Sequence, residues 1–351
     1  MVDIVPPFLW FSQVAGGTPE PWRYFRLDGL LFNAYDILRS TIIADRMRTY
    51  RIHSYIDFGG PIMMDSGGFM FMTKKHMKVE PEAILELYED TRPDYGVALD
   101  HPLTIGLTEG ETKRRQLRTL RNTKKMIEKR ADSNPELIPV IHGHTLRSVE
   151  WFVRQLGKIG EFQIYGVGSL VPSVFNARGV GGINNVIRIV SHVRKLLPEK
   201  LIHVFGVGST ITMHLMFASG ADSLDSSSWR SKAAYGIVQL PAIGDRYITG
   251  RAGKATGKKY LNLSRDELRI LEQCNCPACK RLGIYGLRRS FSMRALHNAW
   301  VFQKEVERAR KLIERYEYEN YVKEVVGRTR FSSALELAGT QQFAVDAAAR
   351  A

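Results

Sequence analysis

Residues 137–168, LIPVIHGHTLRSVEWFVRQLGKIGEFQIYGVG, hold a short apolar run (LIPVIHG), a segment with helical signals (LRSVEWFVRQL) and a second apolar run (FQIYGVG). Short apolar or β-branched runs that end in turn-forming or polar residues read as strands. A strand, a helix and another strand in that order make a βαβ unit. The same reading extends in both directions: FLWFS, GLLFNA, PIMMD and YGVALD lie upstream, LIHVFGVG and ADSLDSS downstream, giving eight candidate strands. Helical segments separate most of them: PEAILELYED, the basic stretch from Glu111 to Arg130, INNVIRIVSHVRKLL and TITMHLMFASG. This alternation implies an α/β fold with a parallel sheet, and eight units suggest a (β/α)8 TIM-type barrel, with an open doubly wound sheet as the alternative. The polar residues favour the barrel. Asp65, Asp100, His142, Gly168, Gly208 and Asp225 all fall at or just beyond the C-terminal ends of their strands, where barrel enzymes assemble their sites.

The pattern changes after Trp229. LPAIGDRYITGRAGKATGKKYLNL is Gly-rich, basic and turn-rich, and reads as a hairpin or extended loop. A cysteine segment follows, then a strongly helical region to about Val326. The expected division is a barrel with the catalytic site over 1–262, a metal-binding segment with helices completing the barrel over 263–327, and a tail of no assigned role over 328–351.

Of the 351 residues, 44% are hydrophobic and 25% charged, an ordinary globular composition. No apolar run approaches the roughly 20 residues of a membrane span, and MVDIVPPFLWF lacks the basic start and cleavage site of a signal peptide. A cytoplasmic protein is expected. The formal charge of +14 makes nucleic acid the first partner to consider, although a merely solvated basic surface has the same composition.

The three cysteines, Cys274, Cys276 and Cys279, are packed into CNCPAC, and His297 follows in RALHNAW. An odd number so close together argues against a disulfide framework. Three thiolates and an imidazole suit tetrahedral zinc, and four protein ligands leave no open position, so the expected cofactor is structural Zn2+. That also excludes a zinc-dependent hydrolase.

Two further segments carry carboxylates. DSGGF places Asp65 at a strand end before two glycines that permit a sharp turn or close approach to a ligand, with Phe69 as a flat face for stacking. GADSLDSSSWR offers Asp222 and Asp225 at an odd offset, which puts them on opposite faces of a strand; only one can face a barrel mouth, and Asp225 lies nearer the C-terminal end. Two basic tracks could follow phosphates. Arg114, Arg118, Arg121 and Lys125 recur at helical spacing opposite Leu117, Leu120 and Ile127, and Arg246, Arg251, Lys254, Lys258 and Lys259 interleave with Tyr247 and Tyr260. The GVGS tetrad, at Gly166–Ser169 and Gly206–Ser209, is a weaker candidate for a phosphate loop.

Taken in order, DSGGF, YGVALD, a strand ending IHGH, YGVGSL, HVFGVGS, GADSLDS and CxCx2C with LHN resemble the tRNA-guanine transglycosylase superfamily over roughly Asn33 to Asn298. The resemblance implies a pentosyltransferase that exchanges a guanine in a nucleic acid for a 7-deazaguanine through a covalent aspartyl intermediate. By position, Asp225 matches the nucleophile, Asp65 the proton-transferring residue in contact with the base, Phe69 the stacking aromatic and Asp100 the carboxylate that recognises the guanine-like edge. His142 stands where the family usually has Gln, and Gly168, Ser169 and Leu170 stand where it commonly has GGL. After the nucleophile the chain reads SSSWRSKAAYG instead of a segment like MPTRNARNG. It also ends soon after the metal segment, without the C-terminal RNA-binding domains usual in archaeal tRNA enzymes. These departures point to the branch that inserts bases such as 7-cyano-7-deazaguanine into DNA, known from phages and bacterial genomic islands; location would then be the host cytoplasm if the chain is phage-encoded. A tRNA substrate is the alternative, as is a non-catalytic zinc-containing paralogue, which the presence of both Asp65 and Asp225 disfavours. A homodimer is expected by resemblance alone.

Overall fold

The expected apolar runs are all strands in the computed structural model, which describes residues 4–73, 79–131, 135–175, 182–249 and 261–338. They are β1 (Phe8–Ser12), β2 (Gly29–Asn33), β3 (Ile62–Asp65), β4 (Tyr95–Val97), β5 (Glu136–Ile138), β6 (Val140–Ile141), β7 (Ile164–Val167), β8 (Leu201–Val204) and β9 (Ser223–Ser226). The sheet order is β5-β4-β3-β2-β1-β9-β8-β7-β6, with every pairing parallel. LIPVIHG therefore supplies both end strands. Pro139 has no N–H for the ladder and breaks the run into β5 and β6, while its carbonyl still accepts from Gly166 N–H at 2.9 Å. The two ends of the sheet are thus separated by a single residue of the chain, and the sheet curls into a nearly closed (β/α)8 TIM-type barrel.

Side-chain parity divides the strands. Phe8, Trp10, Leu31, Met63, Tyr95, Val97, Ile138, Val140 and Ile164 fill the barrel interior, and their neighbours Leu9, Phe11, Leu30, Phe32, Ile62, Met64 and Leu224 pack outward beneath the helices. Each such burial contributes about 1.5–3 kcal/mol. Continued two residues at a time, the inward parity arrives at Ser12, Asn33, Asp65, His142, Gly168 and Asp225 on the C-terminal rim. Asp222, at the opposite end of its strand, accepts from Ile202 N–H at 2.7 Å and pairs with buried Arg194, whose other N–H groups donate to the carbonyls of Leu197, Pro198, Lys200 and Gly220. It is a structural residue, as its position suggested.

The basic stretch after β4 is the helix Glu109–Lys129, begun by a capping box between Thr108 and Glu111. Its buried face is Gln116, Thr119, Leu120, Asn122, Thr123 and Met126. Leu117, expected on that face, is exposed, because it sits about 100° round the helix from Gln116.

Beyond the barrel, β10 (Ile237–Leu240) and β11 (Gly244–Tyr247) form an antiparallel hairpin, with β12 (Leu261–Asn262) parallel to β11. The helix Phe291–Glu314 lies back along the barrel. Ala295, Ala299, Phe302, Val306 and Ala309 share the core between strands and helices, and Gln303 and Arg310 both bind Asp28, which accepts from Leu9 N–H. No helix among the described residues is long and apolar enough to cross a membrane.

Candidate active site and metal centre

Asp225 ends the inward face of β9 and is largely buried. Ser12 Oγ donates to its Oδ2 at 3.0 Å and Gly206 N–H to its Oδ1 at 2.5 Å, while His203 Nε2 lies 3.7 Å from Oδ1. The second GVGS tetrad supports this residue. Gly206 has φ +72°, and a Cβ on Gly208 would stand 2.5 Å from the Asp225 carbonyl. The first tetrad is packed just as closely, with a Cβ on Gly166 falling 2.5 Å from the Phe205 ring and one on Gly168 2.8 Å from His142. Close packing accounts for these glycines.

Asp65 ends β3, where Asn33 Nδ2 donates to it at 2.7 Å. Burial, followed by the charges of Asp100 and Asp225, pushes its carboxyl up to about 8. These three carboxylates therefore share one rim of the barrel. The DSGGF glycines make the arrangement possible: Gly67 has φ +78°, and any Cβ on Gly68 would collide with the Asp100 carboxylate. Phe69 is exposed beside them.

The shift at Asp65 has a sign that melting can test. Between the unfolded carboxyl's value of about 4 and the folded one, the folded state keeps a proton that the unfolded chain has lost, so stability falls as pH rises through that window. Above about 8 the whole penalty is present. Asp65→Asn removes the charge and is expected to gain about 1–3 kcal/mol over wild type at pH about 9, and little at pH about 4. An equal difference at both would mean that the carboxyl is not shifted.

Asp100 follows β4 on a segment clamped by polar residues of the basic helix. Asn122 Nδ2 donates to Leu99 O at 3.0 Å, Thr119 Oγ1 accepts from His101 N–H at 2.9 Å, and Arg115 donates to Pro102 O at 2.7 Å. Across the rim, buried His142 has Nδ1 at 2.8 Å from Ser169 Oγ and Nε2 at 3.0 Å from Asp100 Oδ2. Leu170, expected to line the pocket, is instead buried in the core between sheet and helices. It lies beyond the end of β7, immediately before the helix Val171–Phe175, where strand parity no longer sets a side chain's direction.

The basic tracks are only partly available. Arg114, Arg118 and Arg121 are exposed, but Lys125 is drawn onto Glu82 at 2.5 Å, where Lys129 joins it. Arg246 is held by Glu267 at 2.7 Å. Arg251, Lys254, Lys258, Lys259 and Tyr260 lie outside the described residues. Ser12, Asn33 and His203 are rim and interior residues that the sequence motifs did not single out. Their one signal is parity along strands, and it becomes readable only when the inward face of each strand is known.

Cys274, Cys276 and Cys279 converge on His297 in a satellite core with Val238, Leu240, Leu271, Leu287 and Leu296. Their sulfurs lie 3.6, 3.5 and 3.5 Å from one ring nitrogen, Nδ1, and all four donor atoms fall within 4.8 Å of one another. One nitrogen cannot hydrogen-bond three sulfurs at once. Bond lengths of about 2.3 Å to sulfur and 2.0–2.1 Å to nitrogen around a tetrahedral zinc would separate S and N by about 3.6 Å, so the donors fit such an ion. His297 Nε2 faces Gln239 O at 3.0 Å, which keeps the Nδ1 lone pair turned to the sulfurs. The next residue, Asn298, donates to Trp229 O and Ile237 O, each at 3.1 Å, and accepts from Gln239 N–H at 2.9 Å. The cluster is thereby tied to the helix Ser228–Ala234, which leaves the strand end carrying Asp225.

The chain is similar to known proteins over most of its length. The tRNA-guanine(15) transglycosylase of Methanococcus aeolicus is 28% identical over 294 residues, covering 81% of this chain and 42% of that protein. Those of Pyrococcus abyssi (26% over 302 residues, 84% and 47%) and Methanopyrus kandleri (26% over 294 residues, 82% and 58%) are similar. The chain spans about half the length of the curated relatives it matches. The family model described as queuine tRNA-ribosyltransferase matches residues 12–330, a stretch that takes in Ser12, the carboxylate rim and the Cys3His cluster alike, and by that match the chain belongs to this family.

Proposed function

We propose that this protein is a base-exchange pentosyltransferase that replaces a guanine in a nucleic acid by another guanine-like base through a covalent aspartyl intermediate. The observation that carries the reading is the pair of rim carboxylates in different settings. Asp225 accepts hydrogen bonds from Ser12 and Gly206, while Asp65 is pushed up to about 8 and so holds a proton at neutral pH. Two carboxylates in such different settings can divide acid and nucleophile roles between them.

In the proposed sequence, an Asp225 oxygen attacks C1′ as the C1′–N9 bond breaks, and the Asp65 proton passes to the departing base. The incoming base then gives a proton to Asp65 and attacks C1′, which releases Asp225 with net retention. Asp100 would accept from the adjacent N1 and N2 donors of a guanine-like edge, since an ionised carboxylate is acceptor only. Phe69 would stack on the base. The Cys3His cluster is proposed to hold zinc, which when bound supplies a closed structural cross-link.

Two polynucleotides are in contention. The relatives named above are tRNA enzymes, which supports tRNA more than the DNA expected from the sequence. DNA remains the second reading because the segment after Asp225 reads SSSWRSKAAYG. The test is incorporation of labelled guanine and labelled 7-cyano-7-deazaguanine into unmodified tRNA and into duplex DNA in parallel. Label in either supports base exchange and chooses the substrate; label in neither, with both bases, refutes it.

A further inference from the structure

We infer that Ser169 is a positioning residue that fixes the ring tautomer of His142 and, through it, the recognition carboxylate Asp100; this rests on reading the barrel mouth as a base-exchange site. Ser169 has φ +66°, a left-handed conformation that costs a side-chain-bearing residue about 1–2 kcal/mol and glycine nothing. A serine there suggests a use for its hydroxyl. Oγ accepts from Leu103 N–H at 2.7 Å and lies 2.8 Å from His142 Nδ1. With the Leu103 N–H bond occupying one of its lone pairs, Oγ keeps its own proton free to donate to Nδ1, its remaining neighbour among the described hydrogen bonds. Nδ1 is then the acceptor, and the ring proton sits on Nε2.

The other side of the ring demands the same tautomer. Nε2 is 3.0 Å from Asp100 Oδ2, and a lone pair there would face an anionic oxygen. The contact is off the N–H axis, so Nε2 has no completed hydrogen bond. A small turn of the carboxylate would complete it. The neighbours enforce this geometry. Gly168 leaves no room for a Cβ beside the ring, Gln116 Nε2 donates to His142 O at 2.7 Å, and the Phe152 ring meets the imidazole edge to face. The chain from Leu103 N–H through Ser169 and His142 thus ends on the one carboxylate proposed to read the base, and holds it as an acceptor.

The test uses full-length protein with 15N-labelled histidine, in which the His142 ring signals are assigned by their loss in His142→Gln. Wild type should show the neutral Nε2–H tautomer. Ser169→Gly, which removes the hydroxyl and relieves the backbone, should show mixed tautomers, a melting transition no lower than wild type, and guanine affinity by calorimetry reduced about 10-fold or more; Ser169→Ala should do the same at some cost in stability. An Nδ1–H tautomer in wild type, or a glycine variant with ring state and guanine affinity unchanged, overturns the inference. If wild type binds no guanine, base recognition falls together with the functional reading, and the ring signals decide separately whether the hydroxyl locks the imidazole.

Discussion

Asp225→Asn is expected to lower base exchange on the order of 10^4-fold or more, because the proposed covalent step would lose its nucleophile and no neighbouring group replaces it. The substitution is isosteric. The remaining oxygen can still accept from Gly206 N–H, and Ser12, a hydroxyl that both donates and accepts, can turn to meet the new amide. The fold and nucleic-acid binding should therefore persist, as a gel-shift comparison with wild type would show. The complementary readout is a protein–nucleic acid adduct that survives denaturing electrophoresis, present in wild type and absent in the variant. Exchange within about tenfold of wild type would remove Asp225 from the role, since loss of a nucleophile costs far more than that. Asp222, three residues away, would be no substitute: it is locked to Arg194 at the opposite end of the strand.

The second large effect is expected from Cys276→Ser. Cys276 caps the helix Pro277–Arg289, its sulfur accepting from Cys279 N–H at 3.2 Å, and a serine keeps a cap while losing a thiolate ligand. The variant should bind less than stoichiometric zinc and melt on the order of 10 °C lower, because metal binding free energy at a structural site is folding free energy. Exchange activity should fall with it, since His297 and Asn298 reach through Gln239 and Trp229 to the segment that follows Asp225. Full zinc content with an unchanged melting transition would refute the assignment, and chelation of the wild type should reproduce the variant.

Two of the sequence expectations fail for the same physical reason. Leu117 and Leu170 are apolar residues placed by motif or by helical period, yet one is exposed and the other buried away from the mouth. Leu117 is turned out by its place on the helix and Leu170 is turned in where the chain leaves β7 for the next helix, so tertiary packing and not residue type sets both. Lys125 and Arg246 likewise read as phosphate contacts in a list of charges, and become ion-pair partners once Glu82 and Glu267 are brought beside them.

Local chemistry was legible without coordinates. Apolar runs ending in polar residues announced the strands, their alternation with helices announced a parallel sheet, and the three thiols with an imidazole announced a four-donor cluster that can hold a metal ion, because each depends on residue type and short-range period alone. Closure of the barrel, the meeting of Asp65, Asp100 and Asp225 on one rim, and the chain from Ser169 through His142 to Asp100 were decided by tertiary structure. These contacts join residues far apart in the chain, and both the shift at Asp65 and the tautomer at His142 arise from neighbours that only the curled sheet brings within a few ångströms.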